Sequence, residues 1–121
     1  MESTNNDANF DLLKKTRAMI GLCQKAMKLV SGEVACEKSL QDGSARLVIV
    51  ATDASNNTKK KFVNKSFYYK VPCYTMFDKD DLSKIIGKQN RATLVVTDDG
   101  FAGRIEEMLK NIGATNNRDG E

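Results

Sequence analysis

The first thirty residues carry hydrophobic side chains at the three- and four-residue spacing of an amphipathic helix. The recurring positions are Leu13, Thr16, Ile20, Cys23 and Met27, widened by Leu12 and Met19. Most of the lysines and arginines in this stretch fall outside that stripe, as expected for a helix with one side in a core. The pattern predicts a long first helix, followed by a short extended segment at KLVS.

Two further helices are predicted from capping residues. The second begins at Ser31 or Gly32 and ends near Gly43, a residue suited to a left-handed C-terminal position. The third is capped by Thr58 and is broken off by Pro72. One side of this third helix is apolar or small and consists of Phe62, Val63, Ser66 and Phe67.

The last two helices follow acidic caps. Asp78 and Asp81 resemble a capping box, which opens a short helix that runs through Ile86. The final helix begins after DDG, and its apolar face consists of Phe101, Ile105, Met108, Leu109 and Ile112.

Three short runs rich in apolar, β-branched or aromatic residues predict strands at 46–51, 73–77 and 92–97. The run RLVIVA is continuous rather than alternating, so we expect helices to cover both faces of its strand. Strands and helices alternate along the chain. This order predicts an α/β fold, a three-layer α/β/α sandwich around a small, partly parallel sheet.

The 121 residues correspond to one domain, which we expect at 8–114 between flexible tails at 1–7 and 115–121. The formal net charge is +3. Four acidic residues and one arginine give the two tails a charge of −3, so the domain itself carries +6. A modest positive charge suits a polyanionic partner.

The sequence has no apolar run near the length of a membrane span and no signal-peptide pattern at its start. We therefore expect a cytoplasmic protein without membrane contact. Histidine is absent, and the three cysteines, Cys23, Cys36 and Cys73, form no C-x-x-C pair. A disulfide framework or zinc site is not indicated, and the thiols are expected to be small buried hydrophobes.

The sequence shows no enzymatic signature, and we expect neither catalysis nor a cofactor. Without histidine, Ser-His and Cys-His nucleophiles are excluded, and neither standard Gly-rich nucleotide motif occurs. An alternative is a phosphatase-like Mg²⁺ site formed by Asp53 with Asp98 and Asp99. Helix capping and turn chemistry explain the same three residues.

Two basic stretches are candidates for contact with phosphate. In TKKKF, Lys59, Lys60 and Lys61 are either a solvated helix face or a phosphate contact at the carboxyl end of the sheet. In KLVSGEVACEK, the free N–H groups at the start of the second helix would form an anion seat between Lys28 and Lys38. We assign those N–H groups to Gly32, Glu33 and Val34. The Glu33 carboxylate would either accept hydrogen bonds from guanine amino groups or complement the helix dipole.

Three segments, IGLCQKAMKLVSGE, ARLVIVATDASNNTKKK and GKQNRATLVVTDDGFAGRI, resemble the small bacterial YlxQ-type proteins. These are relatives of the ribosomal proteins L7Ae and L30e, which bind kink-turn RNA. The resemblance covers roughly Phe10 to Ile112. It implies an α/β/α sandwich with a four-stranded mixed sheet and a non-enzymatic RNA-binding role connected with translation.

The RNA signature of that family, approximately K-x-x-x-G-x-N-E-x-T-K, falls on Lys28 to Lys38. Lys28, Gly32 and Lys38 match, whereas the signature Asn, Glu and Thr are replaced by Val34, Ala35 and Glu37. In the family, the Asn and Glu side chains reach the edges of sheared G·A pairs. The resemblance therefore implies weaker or broader selectivity than that of a strict kink-turn reader.

A second family contact comes from the loop before the last strand, here 87–91, where Arg91 would stack on a base or pair with phosphate. The candidate RNA-binding residues are Lys28, Ser31, Gly32, Glu33, Val34, Lys38, Asp53, Asn56, Lys59, Lys60, Lys61, Lys88, Gln89, Asn90 and Arg91. The expected partner is structured RNA, either ribosomal or from a messenger leader, with the ribosome as a further candidate and a monomeric protein. The alternative is a protein-interaction module of the same superfamily.

Overall fold

The computed structural model describes residues 2–118, with side chains from Asn9 onward. Met1 and residues 119–121 of the expected tails lie outside the described residues. The helices are α1 (Glu2–Lys25), α2 (Glu33–Gln41), α3 (Asn56–Tyr69), α4 (Lys79–Ile86) and α5 (Asp99–Asn111). The strands are β1 (Leu29–Ser31), β2 (Leu47–Val50), β3 (Cys73–Thr75), β4 (Thr93–Val96) and β5 (Thr115–Asn116).

The sheet is mixed and has the strand order β1-β4-β2-β3-β5. Among the described strands, β2 and β3 pair in parallel, and the pairs β1–β4, β2–β4 and β3–β5 are antiparallel. The implied number of four strands is wrong, because β5 adds a fifth at the β3 edge through the pairing of Thr115 with Thr75. Two residues of the segment assigned to a tail thus belong to the sheet. The division into a domain with flexible tails stays a prediction.

Two groups of helices cover the sheet. α1 contacts α4 and α5, whereas α2 contacts α3, and every residue of the central strands β2 and β4 is buried. The continuous apolar run of β2 required this double cover, because each side chain of a strand points to one face or the other. None of the helices in the described part of the chain is long and apolar enough to cross a membrane.

Three details of the helices differ from the sequence prediction. Met27 lies beyond α1 in a left-handed conformation and is 87% exposed, so it does not extend the apolar stripe. Ser55, not Thr58, caps α3, because its Oγ accepts the Thr58 N–H at 3.1 Å. Phe67, placed on the apolar side of α3, is 56% exposed. The predicted Asp78 cap of α4 is confirmed, since its Oδ1 accepts the Asp81 N–H at 2.8 Å.

The directions of the strands bring four segments to one end of the sheet. β1, β2 and β3 end there, and β4, which runs antiparallel to β1 and β2, begins there. We call this end the carboxyl edge, and it comprises the segments 31–33, 51–58, 76–81 and 87–92. It contains the N-termini of α2, α3 and α4 together with the loop before β4.

Candidate nucleic-acid interface

Arg91 is fixed across the carboxyl edge by two hydrogen bonds from its guanidinium. Nε donates to Ser31 Oγ at 2.9 Å, and Nη1 donates to the Gln89 carbonyl oxygen at 2.8 Å. The aliphatic part of the side chain passes Gly32, where an added Cβ would lie 3.8 Å from Nε. Gly32 also has a φ of 91°, a conformation that other residues rarely adopt. Ser31, Gly32 and Arg91 therefore form one partly exposed corner.

The conformation of the loop before β4 positions Arg91. Gly87 and Asn90 take left-handed conformations with φ of 68° and 54°. Between them Lys88 and Gln89 are exposed, as is Asn90 itself. The loop closes where the Arg91 N–H donates to Ser83 Oγ at 2.9 Å. The buried Ser83 on α4 thus fixes the backbone of Arg91, and the loop presents its polar side chains to solvent.

The N-terminus of α2 differs from those of α3, α4 and α5. Each of the latter three has a side-chain cap, whereas the α2 cap residue Gly32 has none to offer. The expectation that the Gly32 N–H is free is wrong, because it donates to the Thr93 carbonyl oxygen at 3.0 Å. The first hydrogen bond within α2 runs from Cys36 to Gly32. The N–H groups of Glu33, Val34 and Ala35 therefore face outward without an intrahelical acceptor.

The Glu33 side chain turns toward α3. Its Oε1 accepts the Thr58 hydroxyl at 2.8 Å, and that hydroxyl in turn accepts the Ser55 hydroxyl at 2.9 Å. This relay connects the starts of α2 and α3 across the edge. It leaves the second oxygen of an exposed carboxylate as the acceptor that Glu33 could offer a ligand.

Val34 and Lys38 lie one turn apart on the outer side of α2, and both are exposed. Val34 is 84% exposed, an unusual position for a β-branched apolar side chain. Lys38 lies in the last turn of α2 and adds positive charge one turn beyond Val34. The pair thus presents one apolar and one cationic side chain to whatever approaches α2.

The three lysines of TKKKF have different surroundings. Lys60 is exposed on the outer side of α3, and Lys59 is partly buried. Lys61 Nζ lies 3.4 Å from Glu37 Oε1, and Lys65 Nζ lies 3.3 Å from Glu37 Oε2. The ammonium of Lys65, and after it that of Lys61, lowers the pKa of the Glu37 carboxyl. Part of the positive charge of α3 is therefore already compensated by α2.

Asp53 lies in the loop between β2 and α3, Asn56 is the first residue of α3, and both are exposed. Asp53 Oδ1 accepts the Lys79 N–H at 2.8 Å, so it supports the start of α4. Together with the loop residues Lys88, Gln89 and Asn90, Asp53 lines an open groove of about 590 Å³. The groove is lined by polar and charged residues and joins the loop before β4 to the start of α4.

The alternative Mg²⁺ site does not assemble. Asp98 follows β4 and therefore lies at the opposite end of the sheet from Asp53. Its Oδ2 accepts the Phe101 N–H at 2.9 Å, and Asp99 pairs with Arg46 at 2.9 Å. These aspartates cap and anchor α5, as the capping interpretation expected.

Lys28 lies apart from the rest of the candidate set. It precedes β1, whereas Gly32 follows that strand, so the two Cα atoms are separated by about 13 Å of extended chain. Its backbone carbonyl accepts the Thr97 N–H, at the end of the sheet opposite to Arg91. The structure therefore brings Ser31, Gly32, Glu33 and Arg91 together and leaves Lys28 outside that group.

All three cysteines are buried, as predicted. Burial raises the pKa of the Cys36 thiol to about 12 and the pKa values of the Cys23 and Cys73 thiols to about 11. They are therefore thiols at neutral pH and act as core residues.

Sequence reasoning missed the residues that position this surface. Ser83 and Thr58 hold Arg91 and Glu33, and Glu37 holds two lysines of α3. A serine on the apolar face of α4, between Leu82 and Ile86, was the one local signal available. The other contacts join helices that are distant in sequence.

Three comparisons place the chain among known proteins. The ribosomal protein L7Ae/L30e/S12e/Gadd45 family matches residues 14–105. An RNA-binding protein YlxQ from Enterococcus faecium is 39% identical over 97 residues, which cover 80% of this chain and 93% of that protein. The RNA-binding protein YlxQ of Bacillus subtilis (strain 168) is 41% identical over 91 residues, or 75% and 91% of the two chains. The solved structure of a protein with unknown function from Bacillus halodurans C superposes with a TM-score of 0.77 at 32% identity, covering 79% of this chain and 97% of that one.

Proposed function

The chain belongs to the ribosomal protein L7Ae/L30e/S12e/Gadd45 family, and on that basis we propose that it is a non-enzymatic protein that binds sharply bent, kink-turn-like RNA in association with translation. The two YlxQ relatives are named as RNA-binding proteins, which supports the class of ligand. We further propose that it acts in the cytoplasm as a monomer on ribosomal RNA or a messenger leader.

The observation that carries this proposal is the fixed guanidinium of Arg91 beside the uncapped start of α2. Two hydrogen bonds hold the planar cation above Gly32, and three outward N–H groups and the positive end of the α2 dipole lie next to it. A guanidinium in a fixed plane can stack on an unpaired base or bind a phosphate with two parallel hydrogen bonds. Bent RNA offers both groups close together, with phosphates crowded at the bend and bases turned out of the stack.

Positive charge around the corner extends this contact. Lys38 on α2, Lys60 on α3 and Lys88 in the loop before β4 are exposed. Their contribution is electrostatic and weakens as salt is raised, because phosphate binding releases counterions. Such contacts set affinity, whereas specificity depends on base edges and RNA shape.

Base reading by this surface is limited. The two positions at which the family places Asn and Glu are Val34 and Ala35, and neither side chain can form a hydrogen bond. Glu33 can offer one carboxylate oxygen while the other accepts the Thr58 hydroxyl. The protein would therefore select the bent conformation of its RNA mainly by shape and charge, binding it better than the extended form.

The test is a titration of a kink-turn RNA and an unkinked duplex of equal length at two salt concentrations. We expect tighter binding of the bent RNA at both concentrations and weaker binding of both RNAs at high salt. Equal affinity for the two RNAs would refute shape selection while leaving general RNA binding intact. No binding of either would refute the function as a whole.

A protein-interaction module is the second candidate, and the exposed Val34 favours it. An apolar side chain that is 84% exposed in place of a base-reading residue is suited to a protein surface. Nuclease treatment of a cell extract separates the two functions. An RNA-bound protein leaves the ribosomal fractions after nuclease treatment, whereas a protein-bound one stays with its partner.

A further inference from the structure

An exposed aromatic group lies at the end of α3 farthest from the carboxyl edge. Phe67 is 56%, Tyr68 76% and Tyr69 37% exposed, and the two tyrosine rings meet edge to face at 4.9 Å between centroids. Lys70 follows directly in a left-handed conformation. We call these four residues the aromatic corner. The contact between Tyr68 and Tyr69, with the exposed Phe67 in the same helical turn, makes an aromatic patch, which single exposed residues do not.

The fold explains why these rings are outside the core. α3 packs on the sheet through Phe62, Val63 and Ser66, whereas Phe67 and Tyr68 lie in its last turn, where both are exposed. The left-handed Lys70 then turns the chain into Val71 and Pro72, which lead to β3. The helix therefore ends with three aromatic side chains that the core does not cover.

Cations flank the aromatic corner on both sides. Phe67 and Lys70 line an open groove of about 350 Å³ together with Arg118 and Glu106. Tyr69 and Lys70 line a second groove of about 350 Å³ together with Arg46. Glu106 is the single carboxylate of these two linings, and its Oε2 accepts the Tyr74 hydroxyl at 2.9 Å. Arg46 is paired with Asp99, so the positive charge available beside the flat rings is that of Lys70 and Arg118.

The outer face of α3 joins the aromatic corner to the carboxyl edge. Lys60, Asn64 and Tyr68 are spaced by four residues and are all exposed, so they form one line along the helix. The 14 residues of α3 span about 21 Å. A strand that leaves the carboxyl edge beside Lys60 can follow this line to the rings.

From this arrangement we propose that the aromatic corner binds an unpaired RNA strand, with bases stacked on Phe67 and Tyr68 and phosphates near Lys70 and Arg118. Stacking on aromatic rings within a basic surface is how proteins hold single strands without reading their sequence. This inference rests on the proposed function, because the strand is taken to extend from the bent RNA at the carboxyl edge. The bound RNA would then cover α3 from end to end.

The test uses the full chain and three RNAs: a bare kink-turn hairpin, and the same hairpin with a short unpaired uridine tail on its 5′ or 3′ end. We expect one of the two tails to tighten binding by about fivefold to a hundredfold, the range for one stacked base. The double variant Phe67→Ala/Tyr68→Ala should bind the bare hairpin as the wild type does and lose the gain from the tail. Phe10→Ala, which removes another exposed ring from α1, is the control and should keep the gain.

Each of the other outcomes refutes either the RNA site at the aromatic corner or the proposed function as well. If the wild type binds the hairpin but neither tail adds affinity, or if the double variant keeps the gain, the aromatic corner is not an RNA site and the proposed function stands. If the wild type binds none of the RNAs, both proposals fail. Loss of the double variant from ribosomal fractions, with RNA affinities equal to those of the wild type, would assign the corner to a protein contact instead. A urea titration of each variant checks that the fold is unchanged.

Discussion

Replacing Arg91 by lysine tests the geometry of the candidate interface without changing its charge. Lysine keeps one positive charge but has no planar fork, so it cannot donate to Ser31 Oγ and the Gln89 carbonyl oxygen as the guanidinium does. The Arg91→Lys variant therefore retains long-range attraction for RNA. What it loses is the fixed plane above Gly32.

The contacts of Arg91 set the expected losses of RNA affinity and of folding stability in the Arg91→Lys variant. Loss of an arginine that stacks on a base or binds a phosphate should weaken affinity for the bent RNA by about 1–3 kcal/mol, roughly fivefold to a hundredfold. The cost in stability should be smaller, about 1 kcal/mol, because both hydrogen bonds are partly exposed and water can replace the donor. An effect on RNA affinity larger than the effect on folding is thus the expected signature.

The assay is fluorescence anisotropy with a labelled kink-turn RNA and with an unkinked duplex, together with a urea titration of the free protein. Arg104→Lys is the control, since Arg104 is an exposed arginine of α5 in the other helix layer. We expect Arg91→Lys to lose affinity for the bent RNA and little for the duplex. Wild-type affinity for both RNAs would show that charge alone acts at this position, and would refute a role for the fixed guanidinium plane.

Lys38→Ala should weaken RNA binding by about 1–3 kcal/mol in the same assay. Lys28→Ala should leave the affinity nearly unchanged, because Lys28 lies at the other end of β1. Equal losses of affinity would refute a specific contact at Lys38. Glu37→Gln should tighten RNA binding and steepen its dependence on salt, because Lys61 and Lys65 of α3 lose their acidic partner. Glu107→Gln on α5, in the other helix layer, should have less effect. Identical salt slopes for Glu37→Gln and the wild type would contradict this prediction. Burial raises the pKa of the Cys36 thiol from 9.0 to about 12, so only the unfolded chain ionises it between those values. The free energy of unfolding should therefore fall as the pH rises from about 9 toward 12, and urea midpoints in reductant at about pH 8 and pH 10.5 should fall less for Cys36→Ala than for the wild type.

The layered fold was accessible from the sequence because its signals are local. The continuous apolar run of β2 and the Asp78 cap of α4 each predict a structure that depends on a few neighbouring residues, and both predictions are confirmed. β5 was missed because its two residues, Thr115 and Asn116, are polar and exposed. Their pairing depends on β3, about 40 residues earlier, and not on any pattern of their own.

Periodicity also overstated the core. Phe67 fits the apolar side of α3 by spacing, yet the helix ends beside it and leaves no neighbour to cover the ring. Similarly, Met27 continues the stripe of α1 after the helix has ended. Spacing identifies a face of a helix, but the length of the packed partner decides how much of that face is buried.

The location of the candidate site could be predicted from the sequence, but the side-chain hydrogen bonds within it could not. A helix start after a strand and a loop before another strand indicated the edge, which the strand order then brought together. The bond between Arg91 and Ser31 joins residues 60 positions apart, and the bond between Glu33 and Thr58 joins residues 25 positions apart. No local pattern encodes such pairs, because each depends on the packing of whole elements.

The carboxyl edge is cross-braced in its free form. Glu33 joins the start of α2 to that of α3, Asp53 joins the loop after β2 to α4, and Arg91 joins the loop before β4 to β1. A template braced in this way loses little conformational entropy when a ligand arrives. On the proposed function, the nucleic acid rather than the polypeptide has to change shape on binding, so the fraction of RNA molecules already bent would govern how quickly the complex forms.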